Sequence, residues 1–122
     1  MNYKFLNIDH VQLAAPKDSE DQARQFYSVI LGMEEIPKPD KLIGRGGVWF
    51  QCGIQQVHIG IQEDFQPAKK AHPAFEVKHV LELGEDLNKH GLEVKEDDVI
   101  EGVKRFFVND PFGNRLEFLE RN

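Results

Sequence analysis

The sequence predicts an α+β fold. One domain over residues 1–122 is built from two βαβββ modules, about 1–64 and about 70–122, whose curved mixed sheets surround a concave site. Two observations carry that reading. Short segments alternate strictly between apolar and polar residues, as half-buried strands do, and one amphipathic helical stripe falls in each half. The chain also repeats itself. Leu31-Gly32 is matched by His90-Gly91, 59 residues on, and Val57-His58-Ile59 by Leu116-Glu117-Phe118 at the same offset. His10 and His72 are 62 apart, a slip that loop lengths absorb. Such a period is too long for a solenoid repeat and points to a duplicated module.

The elements follow in order. Residues 6–14 alternate, with Val11 and Leu13 on one side and His10 and Gln12 on the other, and Pro16 closes the strand. Ser19 followed by Gln22 has the spacing of a capping box. Ala23, Phe26, Tyr27, Ile30 and Leu31 form the stripe of an amphipathic helix, with Gly32 suited to the left-handed position past its end. Three strands are expected next: Met33 to Ile36, Val48 to Cys52 after the loop Gly44-Arg45-Gly46-Gly47, and Val57 to Gln62. Gly53 to Gln55 reads as a hairpin turn. Glu63 to Ala71 is the linker. His72 to Val77 opens the second module as a strand. Val80, Leu83 and Leu87 mark a helix that ends at His90-Gly91 and whose N-cap is poor. Leu92 to Lys95, Val103 to Asn109 and Arg115 to Glu120 complete the set, with Asp110-Pro111-Phe112-Gly113 placed as in a type I turn.

Composition excludes several classes. The 15 Lys and Arg stand against 21 Asp and Glu, a net charge of −6, the wrong sign for a nucleic-acid or anionic-membrane binder. No apolar run approaches the roughly 20 residues of a membrane span. The first residues lack the apolar region of a secretory signal. Cys52 is the single cysteine, so there is no intramolecular disulfide and no Cys-rich zinc knuckle. A cytoplasmic domain acting on small molecules is the expectation.

Within that frame, His10, His58 and His72 fall on expected strands, each on the face opposite the apolar residues, and Glu117 alternates with Leu116 and Phe118 in the same way. The duplication maps His10 onto His72 and His58 onto Glu117. Imidazole and carboxylate are ligands for Zn, Ni, Co, Mn or Fe, and three His with one carboxylate can hold such a divalent ion with open positions for substrate. Taken singly, a strand His is more often a hydrogen-bonded structural residue, and Glu117 reads as an ion-pair partner of Arg105 or Arg115. It is the repeat-equivalent placement of all four that favours a metal site. Gln12 and Glu76 are candidates to hold a ligand's other nitrogen. Trp49 and Phe107 are candidates to line the pocket, since one aromatic of each adjacent pair must leave the core. Gly44 to Gly47 is expected to be a mobile lip, Cys52 a small buried residue, and His79 and His90 structural.

These residues resemble a known superfamily. Ala23-Arg24-Gln25-Phe26-Tyr27 through Leu31-Gly32-Met33 resembles the first helix of the vicinal oxygen chelate proteins, which include glyoxalases, extradiol dioxygenases and bleomycin-resistance proteins. Asp110-Pro111-Phe112-Gly113-Asn114-Arg115-Leu116-Glu117-Phe118 resembles their C-terminal signature. The resemblance spans essentially the whole chain, is nearest in look to small glyoxalase-family proteins, and implies metal positions at His10, His58, His72 and Glu117. It also implies a homodimer. Departures narrow it: His58 stands where glyoxalase I-like members typically carry a carboxylate, which leaves Glu117 to serve both as ligand and as proton carrier.

Two functions follow as expectations. The first is a metal-dependent, lactoylglutathione lyase-like lyase or isomerase. Its ion would chelate two neighbouring oxygens of a small substrate while Glu117 moves the proton. The second is a non-catalytic small-molecule binding or antibiotic-resistance protein of the same fold. Extradiol dioxygenase and thiol transferase activities are disfavoured by chain length and by the segment 101–105.

Overall fold

The computed structural model describes every residue from Met1 to Asn122. The chain divides into two compact units, Met1–Asp64 and Phe65–Asn122. Each holds one four-stranded mixed sheet of the same topology, β1-β4-β3-β2 in the first and β5-β8-β7-β6 in the second. The α+β class and the doubled βαβββ plan are therefore present.

In the first unit, β1 (His10–Ala15) runs parallel to β4 (Gln55–Ile61), which is antiparallel to β3 (Val48–Cys52), which pairs with β2 (Glu34–Ile36). Register places Val11 and Phe50 beside Val57, and Leu13 and Val48 beside Ile59. That face packs with Ala23, Phe26 and Tyr27 to form a buried core. The other face carries Gln12, His58 and Trp49 in one cross-strand row. The two-residue turn Gly53-Ile54 has Gly53 at φ 58, the arrangement of a type II′ hairpin.

The first unit departs from four local expectations. The first strand begins at His10 rather than at residue 6, although the Asp9 carbonyl before it still accepts from Gln56 N–H of β4 at 3.3 Å. The expected single helix is a four-residue α1 (Glu20–Ala23) that widens into a π-helical segment, Arg24–Ile30, marked by Leu31 N–H donating to the Phe26 carbonyl five residues back. Ser19 makes no cap; its hydroxyl donates backwards to the Pro16 carbonyl, and the capping box does not form. The glycine loop is also not free. Residues Asp40–Arg45 form a 3-10 helix, Lys38 donates to the Gly46 carbonyl, and Gly47 N–H donates to Glu20 at 2.9 Å. Gly47 sits at φ 89 with the space for a Cβ 2.2 Å from the Ile59 carbonyl oxygen, so only glycine fits there.

In the second unit, β5 (Ala74–Glu76) is parallel to β8 (Arg115–Arg121), followed by β7 (Val103–Asn109) and β6 (Lys95–Asp97). Leu116, Phe118, Phe106 and Val108 are buried on the same side as Val80 and Leu87 of α2 (Val80–Lys89). Gly84 of that helix lies against the Phe106 ring, where a Cβ would meet it at 3.4 Å. β5 is shorter than the alternation suggests and leaves His72 two residues before the strand, while β6 begins at Lys95 instead of Leu92. Cys52 is half-buried, not buried, and loss of water around it pushes the thiol pKa up.

Candidate functional site

Each unit carries a polar pair at equivalent register. Gln12, His58 and Trp49 share a row in the first, and Ala74, Glu117 and Phe107 share a row in the second. His58 and Glu117 are thus the central-strand members of both rows, and both are buried, at 4% and 6% exposed.

In the first unit His10 and His58 come together as stacked rings, centroids 4.1 Å apart and 17° from parallel. Trp49 stacks on His58 as well, at 3.7 Å. His10 Nδ1 contacts Asp9 Oδ2 at 2.9 Å, and His58 Nε2 contacts Gln56 Oε1 at 2.8 Å. Burial and, second, the neighbouring His10 hold the His58 pKa below its ordinary value. Gln12 lies beside His58 but reaches along the strand, its amide covering Gly60.

The second unit brings His72 and Glu117 into direct contact, Nε2 to Oε1 at 2.9 Å. His72 Nδ1 faces the Lys70 carbonyl at 2.9 Å. The other Glu117 oxygen accepts from Arg105 at 3.3 Å, and Arg105 also pairs with Asp97 at 3.2 Å. Phe107 meets His72 edge-on at 5.3 Å. Glu76 shares this strand face, yet its carboxylate is exposed and pairs with Arg121 at 3.2 Å, so it does not hold His72.

The donor set can be tested against an ion. A ligating His commonly has its second ring nitrogen fixed by a carboxylate, carbonyl or comparable oxygen. His10, His58 and His72 all have one nitrogen so held. Two ligands about 2.1 Å from one ion and at right angles are about 3.0 Å apart, close to the 2.9 Å His72–Glu117 separation. In chemistry and spacing, that pair fits. The stacked pair fits less directly, because lone pairs in two parallel ring planes do not meet at one point; one ring must turn. Neither unit by itself gathers three or more His, Cys, Asp or Glu side chains suited to an ion.

Asp9, Gln56 and the Lys70 carbonyl were not among the residues the sequence singled out, and Arg105 was named only as one of two partners for Glu117. Gln56 was accessible, being two residues from His58 on the same strand face. A backbone carbonyl leaves no signal in a sequence.

The model of the Glyoxalase/Bleomycin resistance protein/Dioxygenase superfamily matches residues 7–118. The chain belongs to that superfamily. Among solved structures, a glyoxalase family protein of Bacillus anthracis is similar at 52% identity, with 100% of each chain covered and a TM-score of 0.97. A glyoxalase family protein of Enterococcus faecalis is 29% identical over 95% of this chain and 98% of its own, with a TM-score of 0.72. A lactoylglutathione lyase of Agrobacterium tumefaciens is 22% identical over 93% and 92%, TM-score 0.74, a likeness of fold alone. No curated protein matches the chain. The glyoxalase superfamily includes lyases that use divalent metals, and no helix of this member is long and apolar enough to cross a membrane.

Proposed function

We propose that this glyoxalase-superfamily protein is a metal-dependent lyase or isomerase acting on a small oxygenated substrate, with His10, His58, His72 and Glu117 as the metal-binding side chains. The observation that carries the reading is the His72–Glu117 contact, an imidazole and carboxylate pair at chelating separation with His72 oriented from behind by the Lys70 carbonyl. A lactoylglutathione lyase among the structural relatives agrees with it in fold.

A divalent ion held there supplies Lewis-acid polarisation of a substrate oxygen. The chain's own residues do the remainder. Glu117 is buried and carries the only carboxylate touching His72, so it is the group placed to take a proton from substrate and return it. Arg105 donates to the far Glu117 oxygen at 3.3 Å, which fixes the carboxylate plane. Phe107, facing His72, walls the pair from one side and lowers the local polarity in which transfer occurs.

The test is metal titration of chelator-stripped protein with Zn, Ni, Co, Mn and Fe(II), followed by calorimetry and melting temperature, and then turnover of 2-oxoaldehyde–thiol adducts. About one equivalent of one ion per chain is expected, with loss of uptake in His72→Ala. Glu117→Gln is expected to abolish turnover. If no ion binds or raises the melting temperature, the metal reading fails. One observation favours the second reading, a non-catalytic binding protein: both Glu117 oxygens already have protein partners. Full metal uptake without turnover of any adduct would support it. We also propose a homodimer as the working form.

A further inference from the structure

A cleft of about 620 Å³ opens in the second unit, in the size range of small-ligand pockets, with Phe107, Lys69, Lys95 and Arg115 on its walls. Its central feature is a guanidinium laid over an aromatic ring: Arg115 Cζ is 4.1 Å from the Phe107 centroid. No side-chain hydrogen bond or ion pair engages the Arg115 guanidinium, whereas Arg105 is occupied by Asp97 and Glu117. An arginine stacked on a ring is held in position by the ring face, while its planar fork of N–H donors stays available at the edge. Its backbone is fixed too. Arg115 is the first residue of β8, directly after Asn114, whose N–H donates to the buried Asp110 carboxylate at 2.8 Å. Of the acidic groups on the cleft, Asp97 pairs with Arg105 and also feels the Arg115 charge, which leaves Glu93 and Glu96 against Lys69, Lys95 and Arg115.

We infer that this cleft is a binding site for a small carboxylate, gripped bidentately by Arg115 with Phe107 as its floor. A carboxylate is the planar, two-oxygen anion that a fixed guanidinium edge matches. Phe107 is shared: Arg115 covers it and His72 meets it edge-on at 5.3 Å. Arg115 and Glu117 are also two residues apart on one face of β8, about 7 Å along a strand. Resting on the proposed function, the substrate is then a small carboxylic acid whose acid group sits at Arg115 and whose reacting carbon lies toward Glu117.

The experiment uses metal-free full-length protein, with benzoate as the probe, benzamide as its uncharged isostere and inorganic phosphate as the competing oxyanion. Binding is read by ¹⁵N–¹H NMR. Benzoate is expected to shift the Arg115 side-chain N–H resonance saturably, and benzamide to leave it in place. Arg115→Ala should weaken benzoate at least about tenfold, and Arg115→Lys about threefold or more, since a point charge replaces the fork. Benzoate affinity indifferent to Arg115, or equal binding of benzamide, overturns the inference. Arg115-dependent phosphate binding with benzoate silent overturns the carboxylate class. Should Arg115→Ala fail to fold, the wild-type resonance and Arg115→Lys still decide. Benzoate binding retained in Glu117→Gln supports the cleft even where metal uptake fails, so the two readings fall separately.

Discussion

The indole of Trp49 lies flat against the imidazole of His58, their planes 3° from parallel and their centroids 3.7 Å apart. His10 stacks on the same imidazole, so His58 is enclosed by two rings and has Gln56 as its hydrogen-bond partner.

That enclosure predicts an acid-sensitive fold. Burial first, and His10 second, hold the His58 pKa below 6.5, against a weaker opposing pull from Asp9. The unfolded chain takes up the proton near 6.5 while the folded chain resists it. The stability tied to neutral His58 is therefore fully present above that pH and is lost as pH falls through the depressed folded value. In metal-free protein, the melting temperature should drop from about pH 8 to about pH 5, less steeply in His58→Gln. Trp49 is the single tryptophan, and its emission should be quenched as His58 becomes charged. A quench midpoint at or above 6.5, or one that survives in His58→Gln, would contradict this assignment.

The central parts of this architecture were legible because they are written in periodicities. Alternation around Val57-His58-Ile59 and Leu116-Glu117-Phe118 placed both polar residues opposite the core, and their common offset placed them at one register. Trp49 and Phe107 were legible as the out-of-core members of aromatic pairs. Other features are not periodic. A seven-residue stripe over Arg24–Ile30 carries too few repeats to separate π from α winding. Glu117 accepts from Arg105 across the β7–β8 pair, which the sequence offered only as one of two partners for it. His72 keeps its place beside Glu117 although its strand starts two residues later, because Glu117 N–H pairs with the Pro73 carbonyl.

The N-terminus of α2 shows the same limit and yields a second prediction. Its first residues offer no capping side chain, and His79 sits in the left-handed region at φ 64. The cap comes from 40 residues away: the Glu120 carboxylate of β8 accepts from the N–H groups of Val80 and His79, both at 3.1 Å. Those two bonds, Val80 first, lower the Glu120 pKa below 4.5. This contribution is present above that value and is lost as pH falls through the lowered one. Glu120→Gln should lower the melting temperature by a few degrees at neutral pH, a size typical of a lost cap, with a smaller difference in acid. Hydrogen exchange should speed up at Val80 and Leu81 and stay unchanged at Leu87. Unchanged exchange at Val80 would show that the carboxylate does not cap the helix.

The residues before β1 bear on the proposed homodimer. Tyr3, Phe5, Leu6 and Ile8 are 67%, 91%, 81% and 69% exposed, an apolar run largely open to water in which Tyr3 meets Phe5 edge-on. With Met1, these side chains present roughly 700 Å² to water. Two such arms related by a twofold axis would bury about 1,400 Å², within the range of stable interfaces. A second copy of the chain is thus the occupant that the area fits. Sedimentation equilibrium at micromolar concentration should return a dimer for the wild type. Because Phe5 and Leu6 are outside the core, the double substitution Phe5→Ser, Leu6→Ser should leave the melting transition cooperative. It should weaken dimerisation at least about tenfold, the effect of removing central apolar contacts from an interface. A wild-type monomer at that concentration would remove the homodimer proposal, and an equally tight dimer in the variant would move the interface away from the arm.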